Sequence, residues 1–144
     1  MFKLDPRLEQ DTIQIGDFSL SKVLLMNDVR YPWVILVPRV TGITEVFQLN
    51  AQQQLQLMKE SNFVAEKLKA LVQADKMNVA ALGNIVTQLH IHHVARFAND
   101  ETWPAPVWGR GQAVQYDKAE RDTVCQQLTQ LFSELLQDND GITL

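Results

Sequence analysis

The stretch that most constrains this chain runs from Met77 to Phe97, MNVAALGNIVTQLHIHHVARF, in which no apolar stripe recurs at helical spacing. Val79, Leu82, Ile85, Val86, Leu89, Ile91 and Val94 fall instead in short runs rich in β-branched residues, broken by Gly83-Asn84. The pattern predicts two adjacent strands, about 77 to 82 and about 85 to 95. Side chains alternate across a strand, so Gln88, His90, His92 and Val94 share one face, and Leu89, Ile91, His93 and Ala95 the other. The chain has only three histidines. On this reading His90 and His92 act together, and His93 points away.

The flanking elements follow from turn and cap chemistry. TIQI and FSLS flank Gly16-Asp17, which predicts a two-residue type II′ hairpin. KVLLM (22–26) and WVILV (33–37) are the next strands, separated by the polar turn Asn27-Asp28-Val29-Arg30-Tyr31-Pro32. Asn50 with Gln53 forms a capping box, and Leu57, Ser61, Val64, Leu68 and Leu71 then alternate spacings of four and three, predicting an amphipathic helix of roughly 20 residues. Asp117 with Glu120 opens a second helix before Val124, Leu128, Leu131 and Leu135, a stripe expected to pack on the sheet or on a second subunit. Consecutive strands joined by tight turns, with helices inserted, predict an α+β domain built on an antiparallel sheet. With no repeat or linker and 46% hydrophobic residues in 144, residues 1–144 are read as one domain.

Charge and cysteine usage narrow the function. A net charge of −4 with no block of Lys or Arg argues against a nucleic-acid surface, although a small anionic ligand needs only local donors. The N-terminal MFKLDPRLEQD lacks an apolar leader core, and no stretch approaches the ~18 apolar residues of a membrane span, so a cytoplasmic protein is expected. The lone Cys125 allows no intramolecular disulfide and is expected to be a small buried hydrophobe in a reducing compartment. The pair His90 and His92 fits three roles equally well from spacing alone: half of a metal site, a catalytic pair, or structural side chains.

GNIVTQLHIHHVAR resembles the signature of the histidine triad (HIT) superfamily, in which three histidines alternate with apolar residues after a short Gly-Gln-Ser/Thr-type segment. LLMNDVRYPWVILVPR is similar to the family's earlier hairpin, and the helix after Asn50 falls where the family has one, so the resemblance covers roughly residues 20 to 97. DETWPAPVWG is similar to a bacterial subgroup related to diadenosine polyphosphate hydrolases. The resemblance implies a five-stranded antiparallel sheet with a main helix and a C-terminal helix, and a homodimer. It also implies a nucleotide hydrolase or nucleotidyl transferase that uses no metal or cofactor. Two alternatives stand beside it: a nucleotide-binding protein with little or no turnover, and a metal-binding protein using His90 and His92.

Carried over by position, the resemblance makes His90 the nucleophile toward an α-phosphorus and His92 a donor to phosphate oxygens. Gln88 stands where the family usually has its first histidine. Its backbone carbonyl is able to hold the nucleophile's δ nitrogen, but its side chain cannot deliver a proton to a leaving group. His93 falls on an apolar position of the pattern, as strand alternation also places it. Asn84 is expected to assist His92. Asn27 occupies the family's ribose-binding place but is equally an ordinary turn residue, and Arg96 is either a nucleotide contact or a solvated charge. The loop 98–112 is long enough to be functional. Trp108 and Arg110 are placed near the nucleotide, with Trp103 an alternative base neighbour or a loop anchor. Trp33 is expected in the core; the family often has histidine there, so a contact supporting the site is expected to be missing.

Overall fold

Helices in this chain start where a side chain satisfies the first free amides. The computed structural model of the protein describes residues 1–138. Asp5 accepts from the Arg7 amide at 2.8 Å and Pro6 takes the first helical position, where no N–H is needed, giving the short helix α1 (Pro6–Asp11). Both predicted capping boxes are present. Asn50 with Gln53 opens α2 (Ala51–Val72), and Asp117 with Glu120 opens α3 (Lys118–Leu131). α2 ends at Gln73, whose φ of 54° is the left-handed turn that stops a helix.

The strands are β1 (Thr12–Asp17), β2 (Ser21–Met26), β3 (Trp33–Pro38), β4 (Lys76–Ala80) and β5 (Ile91–Arg96). They form one sheet in the order β1-β2-β3-β5-β4, antiparallel throughout. The expected α+β architecture, with its five-stranded sheet, main helix and C-terminal helix, is the one observed. One face packs Val23, Leu25, Val34, Leu36 and Ala95 against Val64 and Leu68 of α2 and Leu128 and Phe132 at the end of α3. The other packs Leu24, Trp33, Ile35 and Val94 against Leu4, Leu8 and Val107. The strap between β5 and α3, together with α1, therefore closes the second face. No described helix is long and apolar enough to cross a membrane.

Two strand boundaries differ from expectation. Gly16-Asp17 is not the first hairpin's turn: β1 continues through it, with a register shift between Gln14 and Gly16, and the chain reverses over Phe18 to Ser21, where the Phe18 amide donates to the Ser21 carbonyl at 2.8 Å. A carboxylate from another element moved the turn. Fully buried Glu60 on α2 accepts from the Leu20 amide at 2.9 Å and the Ser21 amide at 3.1 Å. The second difference lies before the histidines. Residues 81–90 are loop, not strand, so β5 begins only at Ile91. Gly83, at φ +79°, turns the chain. Leu82 and Ile85, counted as strand residues from their chemistry, are 45% and 73% exposed.

Candidate active site

The loop and β5 divide the histidines as alternation requires. Ile35 of β3 pairs with His92 and Val34 with His93, so His92 faces the α1-and-strap side while His93 faces α2. His93 is fully buried; its Nδ1 donates to the Val34 carbonyl at 3.1 Å and its Nε2 accepts from the Ser61 hydroxyl at 2.7 Å. Desolvation pushes its pKa down to about 4, against the raising effect of its carbonyl bonds. Both ring nitrogens are occupied, which makes His93 a joint between sheet and helix.

His90 and His92 stand together, with ring centroids 4.8 Å apart and nearly perpendicular. His90 Nδ1 lies 2.7 Å from the Gln88 carbonyl, which can only accept, so this nitrogen carries the proton and in the neutral ring Nε2 keeps its lone pair. The opposite assignment holds at His92. The Trp33 indole donates to His92 Nδ1 at 3.0 Å, which puts the neutral ring's proton on Nε2. Burial, and then the neighbouring His90 and His93, push the His92 pKa down to about 3, so the ring stays neutral and keeps one N–H to donate. One ring is thus set to give an electron pair and its neighbour to give a hydrogen bond. The contact expected to be missing at position 33 is present, supplied by an indole.

Both rings line a cavity of about 330 Å³, large enough for a small ligand. Asn84 and Trp108 line it as well. Trp108 packs edge-on against His92 at 5.3 Å and against Trp33 at 6.1 Å. The strap that carries it is fixed by the β2–β3 turn: Asp28, nearly fully buried, holds Arg30 at 2.8 Å, and Arg30 donates to the Arg110 carbonyl at 3.1 Å. Gly111 lies at φ +63°, a backbone conformation that favours glycine, and a Cβ there would meet the Arg30 guanidinium at 2.8 Å.

The remaining predicted residues lie outside the cavity. Asn27 accepts from the Tyr116 amide at 3.0 Å and so helps to hold the strap. Arg96 is 1% exposed and bonds Asp100, Asn78 and Thr102, so it is no solvated charge; its guanidinium holds the Asp100 carboxyl down at about 2. Trp103 packs over Arg96 and anchors the loop. Arg110 is exposed and contributes its backbone carbonyl to the Arg30 contact. The Gln88 side chain is turned to the N-terminal segment, accepting from the Asp5 amide at 2.9 Å and donating to the Lys3 carbonyl at 2.9 Å. Cys125 is partly rather than fully buried, with its thiol pKa raised by desolvation.

Sequence reasoning missed one wall of the site. Arg7, Leu8, Asp11 and Thr12, from α1 and the start of β1, line the cavity opposite the loop 82–86. Asp5-Pro6 was a readable helix start, but nothing local places that helix beside the histidines. Among the described residues, no group of three or more His, Cys, Asp or Glu side chains converges in a way that could hold a metal ion.

The fold and site define a class: an antiparallel α+β protein presenting two imidazoles, anchored through opposite hydrogen bonds at Nδ1, at the end of a central strand. The chain belongs to the histidine triad family, since the HIT domain pattern matches residues 7–99. It is 48% identical to a histidine triad protein from Marinobacter aquaeolei VT8, with a TM-score of 0.92 over 94% of this chain and 98% of that one. A histidine triad protein from Sinorhizobium meliloti 1021 is 46% identical (TM-score 0.87) and one from Bradyrhizobium japonicum 43% identical (TM-score 0.85), each over 94% of this chain and 98% of its own. No protein of curated function matches the chain.

Proposed function

We propose that the protein is a nucleotide hydrolase or nucleotidyl transferase that cleaves dinucleoside polyphosphates or nucleoside monophosphate conjugates through a nucleotidyl-His90 intermediate. The observation that carries this reading is the pair of opposite tautomers, His90 with a free Nε2 and His92 with an Nε2–H, on one cavity. His90 Nε2 attacks the α-phosphorus, an N–P bond forms, and the P–O bond to the leaving group breaks with its electron pair on the departing oxygen. The ring becomes cationic, and its Nδ1–H bond to the Gln88 carbonyl strengthens as charge develops. His92 Nε2–H and the Asn84 amide donate to nonbridging oxygens. Water then attacks phosphorus, the N–P pair returns to Nε2, and the water's proton goes to solvent. Asn27 and Arg96 serve this chemistry through the strap and loop they hold, and Trp108 walls the nucleotide.

Acid-quenched reactions with diadenosine polyphosphates and AMP conjugates, mapped by mass spectrometry, test the proposal. The adduct is expected on His90, absent in His90→Ala and insensitive to chelator. An adduct on His93, or full yield in His90→Ala, overturns it. A second reading, nucleotide binding with little turnover, has one observation in its favour: the Gln88 side chain is committed to Lys3 and Asp5, so it gives no help to a leaving group. Tight binding without adduct would establish that reading. We also propose a homodimer, since Phe47, Leu55 and Met58 on and before α2 are 76%, 74% and 60% exposed. A monomeric mass by light scattering at micromolar concentration would refute the assembly.

A further inference from the structure

A conjugate joined at one phosphorus has two halves that diverge from it, so a nucleophile that cleaves it needs an opening on each side. His90 lines the 330 Å³ cavity. It also lines a small pocket with Gln88, Thr87 and Thr44, and these three border a second cavity of about 430 Å³ together with Lys3. The small pocket, lined by both His90 and Gln88, thus lies between the nucleophile and the second cavity. The lining of that cavity mixes the polar side chains of Lys3, Thr44, Thr87 and Gln88 with Leu4, Pro6 and Ile43. Lys3 has no ion pair or hydrogen bond to its ammonium, and Thr87 none to its hydroxyl, among the described residues. The carboxylate of Asp5, which also lines it, is turned to the Arg7 amide at 2.8 Å.

Gln88 decides what this second cavity accepts. Its amide is used in both directions by the N-terminal segment, accepting from Asp5 and donating to Lys3, so no proton reaches a departing atom from position 88. Phosphate and polyphosphate leave as anions and need no such proton, whereas an alkoxide or an amine does. Resting on the reading of His90 as nucleophile, we propose that the cavity bounded by Lys3, Thr44 and Thr87 is a leaving-group subsite for an anionic phosphate or polyphosphate chain. The P–O bond breaks with its pair on the chain's oxygen, and the Lys3 ammonium and Thr87 hydroxyl receive that charge. Gln88 is then a positioning residue that joins the subsite's wall to the nucleophile's anchor.

Three adenylyl donors that differ only in leaving group test this in the full chain: diadenosine tetraphosphate, adenosine 5′-phosphofluoridate, whose fluoride needs no subsite, and an aliphatic phosphoramidate, whose nitrogen must be protonated. The tetraphosphate is expected to react faster than the phosphoramidate. Lys3→Gln should lower kcat/KM for the tetraphosphate about fivefold, the upper range for an exposed charge contact, and Lys3→Glu more. Either variant should leave the fluoridate within about twofold, because no interaction with fluoride is lost. Raising ionic strength should erase the difference between wild type and Lys3→Gln on the tetraphosphate. Equal losses on tetraphosphate and fluoridate, no loss on either, or a faster phosphoramidate would overturn the subsite while leaving the nucleophile in place. Absence of any His90 adduct from the fluoridate in the wild type would overturn both.

Discussion

Trp33→Phe isolates the feature that gives the two histidines different jobs. The indole N–H to His92 Nδ1 at 3.0 Å is the only described hydrogen bond that selects the tautomer of that ring. Phenylalanine keeps most of the packing against Tyr31 and Trp108 and removes the donor. The tautomer preference lost is the net value of one hydrogen bond, about 0.5–1.5 kcal/mol, or a factor of about 2 to 13 in the ratio of Nε2–H to Nδ1–H rings. Adduct formation on His90 should slow by no more than that factor. Deleting the donor altogether with His92→Ala should instead cost a factor of about 10² to 10³. Nitrogen-15 NMR of labelled histidine reads the tautomer without reference to turnover. Wild-type His92 should show a protonated Nε2 and a bare Nδ1 down to about pH 4, because its pKa lies near 3, and Trp33→Phe should show a mixture. A proton on Nδ1 in the wild type, or an unchanged ratio in the variant, would refute the argument.

Further outcomes follow from the surrounding contacts. His93→Ala should leave the adduct nearly unchanged and cost about 1–3 kcal/mol in urea unfolding, since it strips a buried ring from between the Val34 carbonyl and Ser61. Because His92 and His93 are depressed to about 3 and about 4 while unfolded histidine titrates near 6.5, the unfolded chain binds more protons between those values. Stability should therefore fall as pH drops below about 6.5, by up to about 1.4 kcal/mol per pH unit for each ring; the slope, from urea titrations at several pH values, should be smaller in His93→Ala. Asp100→Asn leaves Arg96, 1% exposed, without its anion and should cost about 3–5 kcal/mol, read as a lowered melting temperature. Gln88→Ala removes two side-chain bonds to the N-terminal segment but not the carbonyl that holds His90. It should speed amide exchange in residues 3–8 and leave adduct chemistry on the fluoridate little changed; slow exchange there would contradict the clip.

What the sequence alone determined is whatever depends on neighbours a few residues away. Capping is local, so Asn50 with Gln53 and Asp117 with Glu120 marked the starts of α2 and α3 correctly. Strand alternation is local too, and it separated His93 from His90 and His92 even though β5 proved shorter than its apolar run. The tertiary structure decided features that are contacts across long sequence separation. Glu60, some 40 residues away, moved the first hairpin's turn beyond Gly16-Asp17. Trp33 reached His92 across the sheet, 59 positions along the chain, and supplied the support that its residue type seemed to rule out. Gln88 found its partners 83 and 85 positions away, at Asp5 and Lys3. A polar side chain advertises how many hydrogen bonds it will make, but only the packed chain determines with whom.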